Sequence, residues 1–339
     1  MRPPINTDQH RSVFICVHRW FRSYRSQVDS GLWLHRFAIV VSVCTLALIF
    51  VGGLVTSTGS GLAVPDWPLA HGRLFPEMVG GVRYEVGHRM VAATVGLLTL
   101  VLALWLRSRE PRRRVRRLGG LALVVVLCQA ALGGFTVLLQ LPTLVSVGHA
   151  ALAQVFFCLT VCLAVFTSRS WQADAPRVED PFLRTLALIT TAAIFVQILL
   201  GALMRHTGSG LAIPDFPLSY GHLMPPFFTR QIAIHFAHRV WALVVTFFVM
   251  WLAGRILRGY EKTLRRAAIF LLAVLGVQIF LGAQTIWSSR APVVTTLHVA
   301  GGALTLAASL YLTLRAYRIL LPRAAALFSH EAYSASASE

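Results

Sequence analysis

Residues 59–76 read GSGLAVPDWPLAHGRLFP, and residues 208–225 read GSGLAIPDFPLSYGHLMP. Three further segments recur at the same interval of about 150 residues: EVGHRMVA as HFAHRVWA, QAALGGFTV as QIFLGAQTI, and VGHAALA as LHVAGGALT. The recurrence extends over most of the chain, which is typical of a duplication. The sequence therefore predicts two halves that fold in the same way.

The chain is too apolar for a soluble protein, since 56% of its 339 residues are hydrophobic and 13% are charged. Eight apolar segments are each long enough to cross a hydrocarbon core of roughly 30 Å. They lie at 38–56, 87–106, 119–139, 146–167, 183–203, 233–254, 267–287 and 295–315. Four segments per repeat is an even number, so both halves enter the membrane in one orientation. We predict an all-α polytopic membrane protein of two tandem four-helix bundles, related by a pseudo-twofold axis along the membrane normal.

The net charge of +18 is concentrated before the first apolar segment, after the second (RSREPRRRVRR) and after the sixth. This alternation follows the positive-inside rule and predicts that both termini are cytoplasmic. The basic runs are therefore interpreted as topology signals facing lipid headgroups, and nucleic acid is not expected as a partner. No secretory signal peptide is recognisable. The predicted division is a basic tail at 1–35, halves at 36–168 and 183–318, a linker at 169–182 and a second tail at 319–339.

Four histidines occupy matching positions, each near the predicted outer start of an even-numbered segment: His88, His149, His238 and His298. Placing a histidine inside a membrane span costs free energy, which suggests that the residue has a function. Taken alone, each could be a hydrogen-bond partner between helices. Two at one depth in each half instead favour paired axial ligands of haem iron. The predicted pairs are His88 with His149 and His238 with His298.

The residues around these histidines suggest further roles. Arg89 and Arg239 directly follow a histidine, and either snorkelling to headgroups or pairing with a haem propionate fits them. Glu85 lies three residues before His88, whereas its counterpart in the second half is His235. A carboxylate beside a haem ligand is a candidate proton donor or acceptor. The alternative is that Glu85 only stabilises a helix N-terminus.

Two long outer loops, 57–85 and 204–231, carry the repeated GSGLAxPDxPL sequence. Gly and Pro impose turns there, and we expect Asp66 and Asp215 to cap them. Trp67 would bury against the bundle, so that the loops cover the outer ends of the sites. The pattern Q-x-x-L-G occurs three times and predicts glutamine hydrogen bonds between helices. Five cysteines form neither CxxC nor CxxCH, so covalent haem attachment is not supported.

These motifs resemble the haem A synthase family over about residues 33–318. The resemblance rests on TGSGLAVPDWP, E-x-x-H-R at 85–89, VGHA, HFAHR and TLHVAGG. It implies an eight-span enzyme of the inner cell membrane. Such an enzyme oxidises the C8 methyl of haem O to the formyl group of haem A by successive hydroxylations, for use in terminal oxidases. Its implied partners are haem O synthase, an electron-transfer partner and membrane lipid, and self-association is left open.

Carried over by position, the resemblance implies that His88 and His149 flank the substrate haem. It implies that His238 and His298 ligate a haem b cofactor, and that Glu85 is the essential acid of the N-terminal, active half. Both sites would face the outer side of the membrane. One departure concerns the outer loops. Many bacterial relatives carry a cysteine pair in the first loop, and neither loop here contains a cysteine, which puts a thiol relay in doubt.

Two other functions fit parts of the pattern. A di-haem b-type protein that oxidises quinol would explain the histidine pairs equally well, but such proteins usually stack haems across the membrane. A repeat-built transporter would favour broken helices and polar groups at the midplane, whereas the apolar segments here are mostly uninterrupted. Pigment extraction separates the three functions.

Overall fold

The computed structural model describes residues 7–172, 180–260 and 262–319. In this part of the chain the regular structure is helical, with no extended strand. The helices are α1 (Thr7–Ser57), α2 (Val82–Arg109), α3 (Arg113–Leu138), α4 (Thr143–Thr167), α5 (Arg169–Gln172), α6 (Pro181–His206), α7 (Arg230–Gly259), α8 (Lys262–Trp287) and α9 (Pro292–Ile319). Apart from the single-turn α5, every one contains an apolar segment long enough to span a membrane. The all-α polytopic class predicted from the sequence is therefore confirmed.

The helices extend beyond the apolar segments that predicted them. α2 begins at Val82 instead of residue 87, and α4 at Thr143 instead of residue 146. The arginine-rich stretch predicted as a loop is mostly helical, since only residues 110–112 lie between α2 and α3. Hydropathy marks the part in hydrocarbon, while a helix continues through the interface where arginine side chains reach water.

The predicted tails and linker are described only in part. α1 reaches back to Thr7, so helix continues well into the predicted tail at 1–35. The short helix α5 lies in the predicted linker. Residues 1–6, 173–179 and 320–339 of these segments lie outside the described residues.

Each half packs as a ring of four helices. In the first half α1 contacts α2 and α4, and α3 contacts the same two helices; in the second half α6 and α8 both contact α7 and α9. The halves meet through α1 with α9, α4 with α6, and α4 with α9. Exchanging the two halves leaves this set of contacts unchanged. The contacts support the predicted pseudo-twofold relation, which remains a prediction.

Two clusters of buried apolar side chains hold the bundles together, one in each half. On the four helices that carry the key histidines, every cluster member lies about two turns or more beyond the histidine. The first members are Val95, Phe156, Val245 and Leu306. The close-packed cores thus occupy one end of each bundle, and the histidines occupy the other.

A half-buried arginine joins the halves at the histidine end. Arg205, in the last turn of α6, donates to the carbonyl oxygen of Gly53 and to the hydroxyl of Ser57 on α1, both at 2.6 Å. The Ser57 hydroxyl lies 3.0 Å from that of Thr296 on α9. Charged hydrogen bonds to a backbone carbonyl are strong in a low dielectric. This contact fixes α1 against the second half.

Candidate haem-binding sites

The four histidines lie at nearly one depth in their helices. His88, His149 and His298 are each six residues beyond the first residue of α2, α4 and α9. His238 is eight residues beyond the start of α7. At 1.5 Å per residue they lie about 9 to 12 Å from the helix N-termini. The matched depth predicted from the repeat is therefore present, somewhat deeper than the apolar segments implied.

Each histidine ring packs against a glycine on the preceding spanning helix. A Cβ placed on Gly52, Gly133, Gly201 or Gly282 would lie 3.0 to 3.1 Å from the imidazole Cε1 of His88, His149, His238 or His298, in that order. Such a distance is closer than ordinary packing allows. The glycines thus form notches that accept the rings, and an added Cβ would require each ring to shift by a few tenths of an ångström.

Within each half the two histidines stand on opposite corners of the ring of helices. α2 and α4 are both flanked by α1 and α3, and α7 and α9 are both flanked by α6 and α8. Two ligands on opposite corners at one depth suit a flat macrocycle held from both faces. The pairing of His88 with His149 and of His238 with His298 remains a prediction that this arrangement supports.

Several imidazole nitrogens of these histidines have no hydrogen-bond partner among the described residues and are therefore available to a bound ligand. The Nδ1 atoms of His88, His149 and His238 are buried and make no hydrogen bond to the described residues. His298 differs, because its Nδ1 lies 3.2 Å from the carbonyl oxygen of Gln278. A Nδ1–H donated to a carbonyl leaves Nε2 with a free lone pair, the usual arrangement of a metal-bound histidine. The residues present therefore fit haem iron.

Glutamine side chains bind the helices that carry three of these histidines. Their amide nitrogens donate to the backbone carbonyl of the histidine, from Gln129 to His149 (2.9 Å), Gln197 to His238 (3.0 Å) and Gln278 to His298 (2.8 Å). The predicted interhelical role of the Q-x-x-L-G pattern is confirmed. The glycine of the same pattern contacts the histidine ring itself.

Glu85 anchors the first outer loop. Its carboxylate is buried, at 3% exposure, and accepts from the backbone N–H of Val64 at 2.9 Å. The other carboxylate oxygen forms an ion pair with Arg89 at 2.6 Å. Arg89 in turn donates to the carbonyl oxygens of Asp66 and Leu69, at 2.9 and 2.8 Å. Both groups are thus held by the loop that covers the site.

His235 lies at the equivalent position of the second half and anchors the second outer loop. Its Nδ1 lies 3.2 Å from the backbone nitrogen of Ile213 and its Nε2 lies 3.1 Å from Nε of Arg239; a neutral imidazole can accept from only one of these two donors. Arg239 also donates to the carbonyl oxygens of Asp215 and Leu218. The exchange of Glu for His between repeats therefore preserves a loop anchor and changes its chemistry. Both guanidinium groups bind loop carbonyls, so contact with lipid headgroups does not by itself account for their positions. Their contact with haem propionates remains a prediction.

The turns of the two loops are capped as expected. Asp66 accepts from the backbone N–H groups of His71 and Gly72, both at 2.8 Å. Asp215 accepts from Tyr220 and Gly221 at 2.7 and 2.8 Å. The first residue after each turn, His71 or Tyr220, has a positive φ of 51° or 56°. Local hydrogen bonds stabilise this left-handed backbone.

Trp67 packs the first loop onto the bundle. A Cβ on Gly134 would lie 2.7 Å from the Trp67 ring, so the indole rests directly on the backbone of α3. This position is one residue beyond the notch that holds His149. The loop therefore contacts the histidine end of the first bundle, but Trp67 itself remains 40% exposed and is not buried as predicted.

We expect the Asp66→Ala substitution to loosen the first outer loop. The backbone N–H groups of Gly72 and His71 hold the pKa of the Asp66 carboxyl below its usual range. A lowered folded-state pKa gives stability that is fully present above the unfolded pKa of about 4 and is lost as pH falls through the folded value. Hydrogen exchange in a peptide covering 66–76 should be faster in the variant at pH 7. Wild-type exchange, corrected for intrinsic pH effects, should approach it only below about pH 4. Equal protection of both proteins at pH 7 would contradict the cap.

Sequence reasoning missed three contributors to the site. Gly52 lacks the Q-x-x-L-G signature that marks the other notches, although it follows from aligning the repeats. Arg205 was not singled out, because no sequence pattern predicts that it reaches α1. The role of His235 as a loop anchor was hidden because its contact with the loop is to a backbone N–H, that of Ile213.

The fold and site together define a multi-pass membrane protein in which four histidine rings each pack against a glycine of a neighbouring spanning helix. A sequence profile described as cytochrome oxidase assembly protein matches residues 35–79 and 82–310. A Heme A synthase of Symbiobacterium thermophilum is 31% identical over 253 residues, covering 71% of this chain and 81% of that protein. Heme A synthases of Staphylococcus haemolyticus and Lysinibacillus sphaericus are 28% and 27% identical, covering 78% and 85% of this chain and 88% and 95% of their own lengths. The chain belongs to the haem A synthase family.

Proposed function

We propose that this protein oxidises the C8 methyl group of haem O to a formyl group and so supplies haem A to terminal oxidases. Membership of the haem A synthase family carries the proposal. The duplicated glycine–histidine notches support it, since they offer a separate place for a substrate haem and for a resident haem. The chemistry comprises two successive two-electron oxidations, each adding a hydroxyl group from water and passing two electrons to the proposed electron-transfer partner, and the resulting gem-diol loses water.

The C-terminal half would hold haem b, with His238 and His298 as axial ligands. The N-terminal half would hold the substrate, haem O, between His88 and His149. When bound, haem b supplies an iron centre able to pass electrons. The residues of the chain orient the two macrocycles, and the loops anchored at Glu85 and His235 keep water from their outer ends.

Glu85 is proposed as the proton acceptor of the N-terminal site. A carbon–hydrogen bond that is oxidised gives up a proton, and a positioned carboxylate can take it. Among the described residues the buried carboxylates are Glu85 and Glu110, and Glu110 follows the far end of α2. Glu85 precedes His88 by one turn. Its ion pair with Arg89 would connect it to the loop surface.

Arg89 and Arg239 are proposed as propionate partners in addition to loop anchors. Each guanidinium shares its donors among several loop carbonyls, and a propionate carboxylate placed beside it would accept more strongly than a neutral carbonyl.

We place the protein in the inner cell membrane with both termini cytoplasmic and both haem sites toward the outer face. The proposed partners are haem O synthase, an electron-transfer protein and lipid. Self-association is left to experiment.

Conversion of haem O is the direct test. The chain and haem O synthase would be expressed together in a host that makes neither haem O nor haem A by other routes. Extracted pigments should then contain haem A, and the purified protein should contain haem b with haem O or haem A. The matched control is the host with haem O synthase alone. Recovery of haem b only, with no conversion, would overturn the proposal in favour of a di-haem electron-transfer protein.

A further inference from the structure

The four histidine notches are alike except at one position. In three notches the residue four positions before the glycine, on the same helix, is a glutamine: Gln129, Gln197 or Gln278. Each of these glutamines bonds the backbone of the histidine, as described above. In the fourth notch, formed by Gly52, that position is Leu48. The α1–α2 contact at His88 therefore lacks the amide bond that the other three contacts share.

The difference extends to the imidazole ring. Gln129 and Gln197 also place their amide nitrogens 3.4 and 3.3 Å from Nε2 of His149 and His238. The His298 ring is instead fixed through Nδ1 by the carbonyl of Gln278. Within the described part of the chain, the His88 side chain has no hydrogen bond, and its Nδ1 is buried without a partner. Of the four rings, His88 is held by packing alone.

Leu48 cannot replace the missing bond. Its side chain packs with the apolar cluster of the first bundle and carries neither donor nor acceptor. In lipid, helix pairs are held by close packing and interhelical hydrogen bonds, because apolar contact with a helix is little better than contact with lipid. At this depth the α1–α2 pair therefore lacks a hydrogen bond that the equivalent α6–α7 pair has at His238.

We propose that His88 is the releasable ligand of the substrate site, and that Leu48 makes it so. This inference rests on the proposed function and extends it. A substrate haem must enter and leave at every turnover, whereas a resident haem must stay. His149 keeps hold of the macrocycle through its glutamine-bonded helix, and His88 withdraws with the α1–α2 contact to let haem pass. Leu48 acts through His88 and is a positioning residue.

Reciprocal substitution tests the proposal at equivalent positions of the two repeats. Leu48→Gln would install the fourth amide bond, and Gln197→Leu would remove the bond at His238. Leu48→Met is the matched control, since it keeps an apolar side chain of similar size. Each purified holoprotein would be mixed with excess apomyoglobin as haem acceptor. Haem b would be followed separately from haem O and haem A by pigment extraction.

Leu48→Gln should slow the loss of haem O and haem A by about threefold to tenfold, the effect of one interhelical hydrogen bond, and leave haem b release unchanged. Gln197→Leu should speed haem b release by a similar factor and leave haem O release unchanged. Leu48→Met should behave as wild type. Unchanged release in both Leu48→Gln and Gln197→Leu would overturn the proposal.

Two further results keep the test decisive. If Leu48→Gln does not accumulate as holoprotein, Gln129→Leu takes its place and should accelerate haem O release, because both ligands would then be unbonded. Equal release from Gln129→Leu and wild type would count against the proposal. Failure of the proposed function is distinguishable, since wild-type protein would then neither bind haem O nor form haem A in the co-expression assay.

Discussion

Replacement of His238 by alanine should lower the haem b content of the purified protein by at least about tenfold and stop haem A formation. The ring rests in the Gly201 notch, its helix is bonded by Gln197, and no other histidine stands in that notch. His298→Ala should have the same effect, because one remaining axial ligand holds the iron weakly. Haem O bound to the other half should stay, since its two ligands lie on α2 and α4.

The comparison requires a histidine outside the bundles. His222 lies exposed in the second outer loop, so His222→Ala should keep both pigments and the low-spin spectrum expected of two histidine ligands. Haem content would be measured per protein by pyridine haemochrome, with the pigments separated by chromatography. Normal haem b content and spectrum in His238→Ala would remove this histidine from the ligand set. Loss of both pigments in His222→Ala would instead indicate general misfolding.

Glu85→His should abolish conversion of haem O while leaving haem b bound. This substitution copies the second repeat, where His235 contacts the Ile213 N–H and Arg239 and can accept from one of them, so part of the loop anchor is retained. What is removed is the carboxylate. Loss of a positioned general base lowers rates by about a hundredfold to ten-thousandfold. Conversion would be measured in the co-expression assay, and haem b by pigment extraction.

Glu85→His tests the role of the carboxylate more specifically than truncation of the side chain to alanine would. Glu85→Ala would leave the Val64 N–H and Arg89 without their partner and so would combine two effects. The matched control is His235→Glu, which installs the carboxylate in the other half and should leave conversion in place. Full activity of Glu85→His would show that the residue only anchors the loop. Loss of haem b from Glu85→His would also assign it a structural role.

Much of the fold followed from the sequence. The eight spanning helices were predicted because an apolar stretch of about 20 residues has few other stable conformations. The repeat then placed His88, His149, His238 and His298 at one depth. Helix ends were less accurate, as in the arginine-rich stretch around residues 110–112, because hydropathy does not register the helical turns that continue into the interface.

The interpretation of single site residues changed most. Arg89 and Arg239 were expected to meet either lipid headgroups or propionates, and both are bonded to loop carbonyls. Glu85 was distinguished because its repeat partner is a histidine, yet His235 contacts the equivalent backbone N–H of the second loop. Backbone partners have no signature in the sequence. Contacts of this kind therefore cannot be predicted from sequence motifs.

The sequence alone determined the membrane class, the duplication and the depth of the four histidines. All three depend on linear patterns: the length of apolar runs, the recurrence of segments and the count of residues from a helix start. Only the tertiary structure decided that each ring sits in a glycine notch, and that glutamine bonds three of the four histidine-bearing helices but not the one at His88. These contacts depend on how each helix is rotated about its axis. In a membrane both the packed and the lipid-facing sides of a helix are apolar, so hydropathy does not fix that rotation.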